Sequence, residues 1–129
     1  MTEQQIIVTL ATKVMGWKRY QETDFWFGDN GNLFNSSLWN PLENIADAFQ
    51  VVDKLLSHFY IFELLGSEVG WVAIFKLVDG NFSYPKMFEG AGETREKAIC
   101  KAAMKVVAEH HGNLDERERL HYERNEKSS

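Results

Sequence analysis

The chain has little cysteine, little proline, no long apolar run and no excess of positive charge, and each shortage removes a class of explanation. The single cysteine, Cys100, cannot close an internal disulfide, so a disulfide-stapled scaffold is excluded and a reduced setting is expected. Two prolines, Pro41 and Pro85, leave no proline-rich linker. No stretch approaches the ~18–20 apolar residues of a membrane span. The opening MTEQQIIVTLATK has no positive leader and no small-residue cleavage site, so a soluble protein of the cytoplasm is expected. Nineteen acidic residues against 14 basic ones give a net charge of −5, which argues against the nucleic-acid backbone as the main partner. Catalytic and metal motifs are missing as well. CxxC and HExxH do not occur, and His58, His110, His111 and His121 lack zinc spacing. His111 and Asp115 stand four apart with Gly112 between them, and histidines at a helix end are read as surface residues that suit the dipole. Gly90-Ala91-Gly92 is too short for a phosphate loop. Cys100 lies beside an apolar stripe with no histidine near it in sequence, the pattern of a packed, inert thiol. We therefore expect no cofactor, no metal and no catalysis.

What is present reads as one domain over residues 1–112 followed by a charged extension or tail over 113–129, within a chain of 129 residues that is 44% hydrophobic. Thr2 and Gln5 form a capping box ahead of Ile6, Ile7, Leu10, Ala11, Val14 and Met15 at helical spacing. Gly16 supplies a left-handed stop, and Trp17 follows it. Phe25, Trp26 and Phe27 precede a run ending in Asn30-Gly31-Asn32, with Leu33 and Phe34 beyond, which predicts a short aromatic hairpin. Asn40 with Pro41 predicts the start of a second helix whose buried stripe is Ile45, Ala48, Phe49, Val52, Leu55 and Leu56. Strands are expected over 59–65, 69–78 and 82–89, the middle one apolar on both faces and hence central. Pro85 suits an edge. Thr94 then caps a helix with Ala98, Ile99, Ala102, Ala103, Val106 and Val107 on one side and Lys97, Lys101 and Lys105 on the other, stopped by Gly112. The fold class is α+β: a small antiparallel sheet of three or more strands between helical layers, an α/β/α sandwich.

Two family resemblances bear on this chain. Gly90, Gly92, Thr94, Ala98, Ala102 and Ala103 fall where the double-stranded-RNA-binding domain has its closing glycines, hydroxyl and alanines. The resemblance implies RNA binding through Lys97, Lys101 and Lys105. The lysine pair of that motif is Arg95-Glu96 here, however, and the next lysine position is Ile99, which weakens the phosphate grip. Over about residues 2–108 the chain resembles the phage ABA sandwich domain family instead. The resemblance is carried by Met15-Gly16-Trp17, Trp39-Asn40-Pro41 with Ala46 and Ala48, the strand bearing Trp71, and the segment from Thr94 to Ala103. It implies an α/β/α sandwich of phage or prophage origin, with no catalytic residues attached to it.

The aromatic segment is the candidate working surface: Phe25, Trp26, Phe27, Phe34 and Trp39, with Asp29 and Asn30 beside them. A small domain does not bury both faces of a two-stranded ribbon, and exposed aromatic rings are enriched at interface hot spots. The competing reading places these rings in the core beneath the second helix. The expected function is non-catalytic binding of a host or phage protein, in concrete form inhibition of a bacterial defence system. Capture of a nucleotide-like ligand between the rings is the alternative, and duplex RNA comes third. The sequence leaves the oligomeric state open, including a homodimer through a free sheet edge.

Overall fold

The computed structural model describes residues 1–19, 24–28, 31–77 and 86–110. Helix α1 (Glu3–Thr9) starts on the expected capping box, in which Thr2 accepts from the Gln5 amide and Gln5 accepts from the Thr2 amide. It runs on without a break into a π-helical segment, Leu10–Val14. The wider turn places Leu10, Ala11 and Val14 together in the core. Gly16 stops the helix at φ +75°, and the Trp17 amide then donates back to the Ala11 carbonyl, burying the Trp17 ring.

A ribbon of three short strands follows: β1 (Lys18–Arg19), β2 (Phe25–Phe27) and β3 (Leu33–Asn35), antiparallel and in that order. The predicted hairpin is β2–β3. The strand β1 has no periodic signal in the sequence and adds to β2 with Arg19 opposite Trp26.

Helix α2 (Ile45–Leu56) begins later than expected. Its cap is Asn44, which accepts from the Asp47 amide. Asn40 instead organises its own turn: its side chain accepts from Leu42 N, its carbonyl accepts from Asn44 N, and its amide donates to the Asp47 carboxylate. Because that carboxylate holds the Asn40 amide, the chain turns through Pro41 before the helix starts. The buried stripe is Ala48, Val51, Val52 and Leu55. Phe49 and Leu56, expected inside, are 38% and 44% exposed. The helix is rotated so that Val51 takes the inward place and Phe49 meets Phe62 edge-to-face at 6.1 Å.

The second sheet is β4 (Tyr60–Ser67), β5 (Gly70–Leu77) and β6 (Met87–Gly92), antiparallel with β5 central as expected. The β4–β5 connection is tighter than the sequence suggested. Ser67 pairs with Gly70, so the turn is Glu68-Val69, and Val69 is 96% exposed rather than part of a strand. Residues 78–85, with Pro85 and the start of the strand expected over 82–89, lie outside the described residues, as do Gly112 and the 113–129 extension.

Helix α3 (Arg95–Glu109) starts on Thr94, whose side chain accepts from the Lys97 amide. Its buried side is Ala98, Ile99, Cys100, Ala102, Ala103 and Val106, and it lies against β6 and β5. No side chain intervenes at Gly90, where an added Cβ would meet the α3 backbone at Ala98 and Ala102. Small residues on both partners let helix and sheet approach to backbone distance. Tyr60, Phe62, Phe75 and Phe88 extend this interface with tilted and edge-to-face ring pairs. The other side of this sheet carries Ile61, Leu65 and Met87, about half exposed, and a Lys76–Glu63 ion pair at 2.7 Å. The architecture is α+β, with three α-helices and two small open antiparallel sheets among the described residues.

Histidine placement departs from the surface reading. His58 is buried, with Nδ1 within hydrogen-bond reach of the Lys54 carbonyl at 2.8 Å. His110 is half-buried at the end of α3, with Nε2 2.7 Å from the Tyr60 hydroxyl. Both sit where an apolar ring face packs while a ring nitrogen finds a local partner.

Candidate functional site

Alternation along a strand decides which aromatic residues face outward. In β2 the pattern is exposed, buried, exposed: Phe25 is 41% exposed, Trp26 2% and Phe27 36%. Phe27 pairs with Leu33 and Phe25 with Asn35, so Phe25, Phe27 and the 48% exposed Leu33 share the outer side of the ribbon. Of the sequence-predicted residues, Trp26 therefore does not reach the surface. Its ring lies in the core under the Arg19 guanidinium, 5.1 Å from the ring centre. Asp29 and Asn30 lie outside the described residues.

The inner side forms a second feature. Phe34, paired with Trp26, packs its ring edge-to-face on Trp17 at 5.0 Å, and Trp17 packs likewise on Trp39 at 4.9 Å. Asn35 accepts from the Ser37 amide and starts a 3-10 turn, Ser36–Leu38, that returns Trp39 to this cluster. Trp39 is 4% exposed, and its indole N–H donates to Gln50 Oε1 at 2.7 Å. A groove of about 370 Å³ runs beside the cluster. Its walls are Gly28, Asn32 and Phe34 of the hairpin and Asp47 and Gln50 of α2, with Trp17 and Trp39 as floor and Leu38 at the rim. A Cβ on Gly28 would stand 3.2 Å from the Phe34 ring, so glycine there lets the hairpin close over that ring.

The structure thus brings Phe34 and Trp39 together and sets Phe25 and Phe27 on the opposite side of the ribbon. Asp47 and Gln50 fall outside the apolar stripe that the sequence predicts for α2. Their spacing of three residues places them side by side on the helix, but only the return of Trp39 makes that side a wall. Trp17 is buried in the core, although its edge also reaches the groove.

The lysine ridge is elsewhere. Lys101 and Lys105 are exposed and Lys97 half-buried on α3, and a Cβ on Gly92 of β6 would stand 2.9 Å from the Lys97 Cβ. Lys101 borders a shallow depression of about 440 Å³ at the β4–β5 turn, lined also by Leu65, Val69, Trp71 and Gly92. Arg95, at a phosphate-gripping position of the RNA-binding motif, lies over the Trp71 ring at 5.8 Å. Cys100 is fully buried, and burial, with a smaller contribution from Glu96, pushes its thiol up to about 12. At neutral pH it is protonated and unreactive. Among the described residues no group of three or more His, Cys, Asp or Glu side chains is placed to hold a metal ion, and no helix is long and apolar enough to cross a membrane.

The phage ABA sandwich domain family has a model that matches residues 8–104. No curated protein matches the chain significantly. Among solved structures, a phage protein from Bacillus cereus superposes with a TM-score of 0.59 at 24% identity, over 84% of this chain and 89% of that one. At that identity the likeness speaks for the fold.

Proposed function

From the premise that this chain belongs to the phage ABA sandwich domain family, we propose that it is a phage accessory protein of the bacterial cytoplasm that acts by binding a host protein without catalysis. The most specific form of this reading is inhibition of a bacterial defence system. One observation carries it: the outward row Phe25, Phe27 and Leu33 on a ribbon whose inner rings are already buried. Trp26, buried on the inner side, anchors the ribbon in the core, and aromatic side chains on a preorganised base are the usual energetic centre of an interface. The acidic net charge supports a basic partner surface, which would be found quickly through long-range attraction.

The test is the double substitution Phe25→Ala with Phe27→Ala. The partner is first identified by co-purification from the bacterial host and then reconstituted from purified components. The double variant is expected to keep the parent melting temperature within a few degrees and to weaken that complex by at least about 100-fold, as for loss of two hot-spot rings worth about 2.8 kcal/mol or more together. Expression in bacteria carrying a defence system should raise the plating efficiency of a sensitive phage, and the double variant should not. A folded double variant with undiminished affinity would refute this surface.

A further inference from the structure

We propose that the groove between the β2–β3 hairpin and α2 receives one arginine side chain of the partner protein, an assignment that rests on the protein-binding reading above. The lining carries one charge, the Asp47 carboxylate, and no lysine or arginine among the described residues. Asp47 accepts one hydrogen bond, from the Asn40 amide at 2.9 Å. A carboxylate has about four lone-pair sites, so acceptor capacity remains for a ligand. Gln50 stands three residues along the same side of α2, and its Oε1 is oriented by the Trp39 indole N–H. Opposite them is the ring of Phe34, with Trp17 and Trp39 beneath.

A guanidinium matches each part of this arrangement. Its planar face stacks on an aromatic ring, its forked N–H groups meet carboxylate and amide oxygens, and its aliphatic stem follows the Leu38 rim. A nucleotide matches only part of it. A base would find the rings, but the phosphate would meet no cation and would face Asp47, so the electrostatic sign opposes it. A lysine ammonium is a point charge that cannot stack and fork together. The negative net charge of the chain brings basic surfaces toward the same site.

The experiment is an NMR titration of the full chain with acetyl-Gly-Arg-Gly-amide, following the Trp17 and Trp39 indole N–H signals. The controls are the citrulline and lysine counterparts of that peptide and adenosine monophosphate. Expected are saturable shifts of both indoles with the arginine peptide, about tenfold or more weaker binding of the citrulline and lysine peptides, and no indole shift with the nucleotide. Asp47→Asn keeps an acceptor for the Asn40 amide and removes the charge, and should weaken the arginine peptide by about tenfold. If that variant does not fold, the citrulline comparison on the parent protein carries the same question. Equal binding of arginine and citrulline peptides, equal binding of the lysine peptide, no shift with arginine, or indole shifts with the nucleotide would each overturn the assignment. Loss of the partner complex in Phe25→Ala with Phe27→Ala is independent of all four results, so the two readings can fail separately.

Discussion

Replacing Gly90 by alanine adds one methyl group where α3 crosses β6, and the structure makes its effect calculable. The new Cβ would stand 2.6 Å from the Ala98 carbonyl oxygen and 2.8 Å from the Lys101 carbonyl carbon, and it would also collide with the Ala102 amide. All three are helix backbone, so no rotamer change relieves them. Restoring ordinary contact requires α3 to retreat by roughly 0.8 Å, a gap that forfeits about a quarter to a half of each facing dispersion contact. Ala98, Ile99, Ala102, Ala103 and Val106 are all fully buried along that interface, so the loss is shared by the whole helix. Overpacking usually costs about 1–3 kcal/mol, and this site belongs at the upper end, about 3 kcal/mol. For a protein of typical stability, about 5–15 kcal/mol, that lowers the urea midpoint by about 1–3 M. Tryptophan fluorescence reports it, since Trp17, Trp26 and Trp39 are buried. Gly31→Ala is the comparator: its φ is +72° and nothing lies within 4 Å of its Cβ, so only the left-handed conformation counts, about 1–2 kcal/mol. A Gly90→Ala protein within about 0.5 kcal/mol of the parent, or one more stable than Gly31→Ala, would refute backbone-to-backbone packing of α3 on the sheet.

Two further outcomes follow from the same core. Thr94→Ala removes the acceptor for the Lys97 amide and should destabilise by about 1 kcal/mol in chemical denaturation, with Thr94→Asp restoring most of it. Cys100 should resist a thiol reagent at pH 8 until denaturant is added. Its thiol ionises at about 12 in the folded chain against 9.0 for the free group, so the unfolded chain loses its proton first. The stabilisation is complete below pH 9 and declines by up to about 1.4 kcal/mol per pH unit as pH rises toward the folded value. Urea midpoints of parent and Cys100→Ala compared between pH 8 and 10.5 should converge; parallel curves would contradict the burial of the thiol.

The family, the α+β class and the main elements were legible in local chemistry. The Thr2–Gln5 box, the Gly16 stop, the aromatic hairpin and the Thr94 cap are signals complete within four or five residues, and each stands where it was expected. The centre strand announced itself by its apolar character on both sides. The errors arose where two local signals competed. Asn40 and Asn44 are both good caps, and the choice fell to Asn44 because Asp47 bonds back to the Asn40 amide. Phe49 and Val51 both suit the stripe of α2, and the position of Phe62 across the interface decided which turned inward.

The candidate site divides in the same way. That residues 25–39 are aromatic, and that a ribbon cannot bury both of its sides, is a property of the sequence alone. Which rings face out is not, because the side of each residue depends on register and on what lies beneath. Pairing of Trp26 with Phe34 and Arg19 sends Phe25 and Phe27 outward. The groove is still less local, for Trp17, Phe34, Trp39, Asp47 and Gln50 are scattered over thirty-four positions and meet only because a 3-10 turn returns Trp39 to α2. Sequence patterns act over one turn of helix or one pair of strands, so they determine the elements. A site shared between two elements depends on how those elements pack, and here only the tertiary structure decided that.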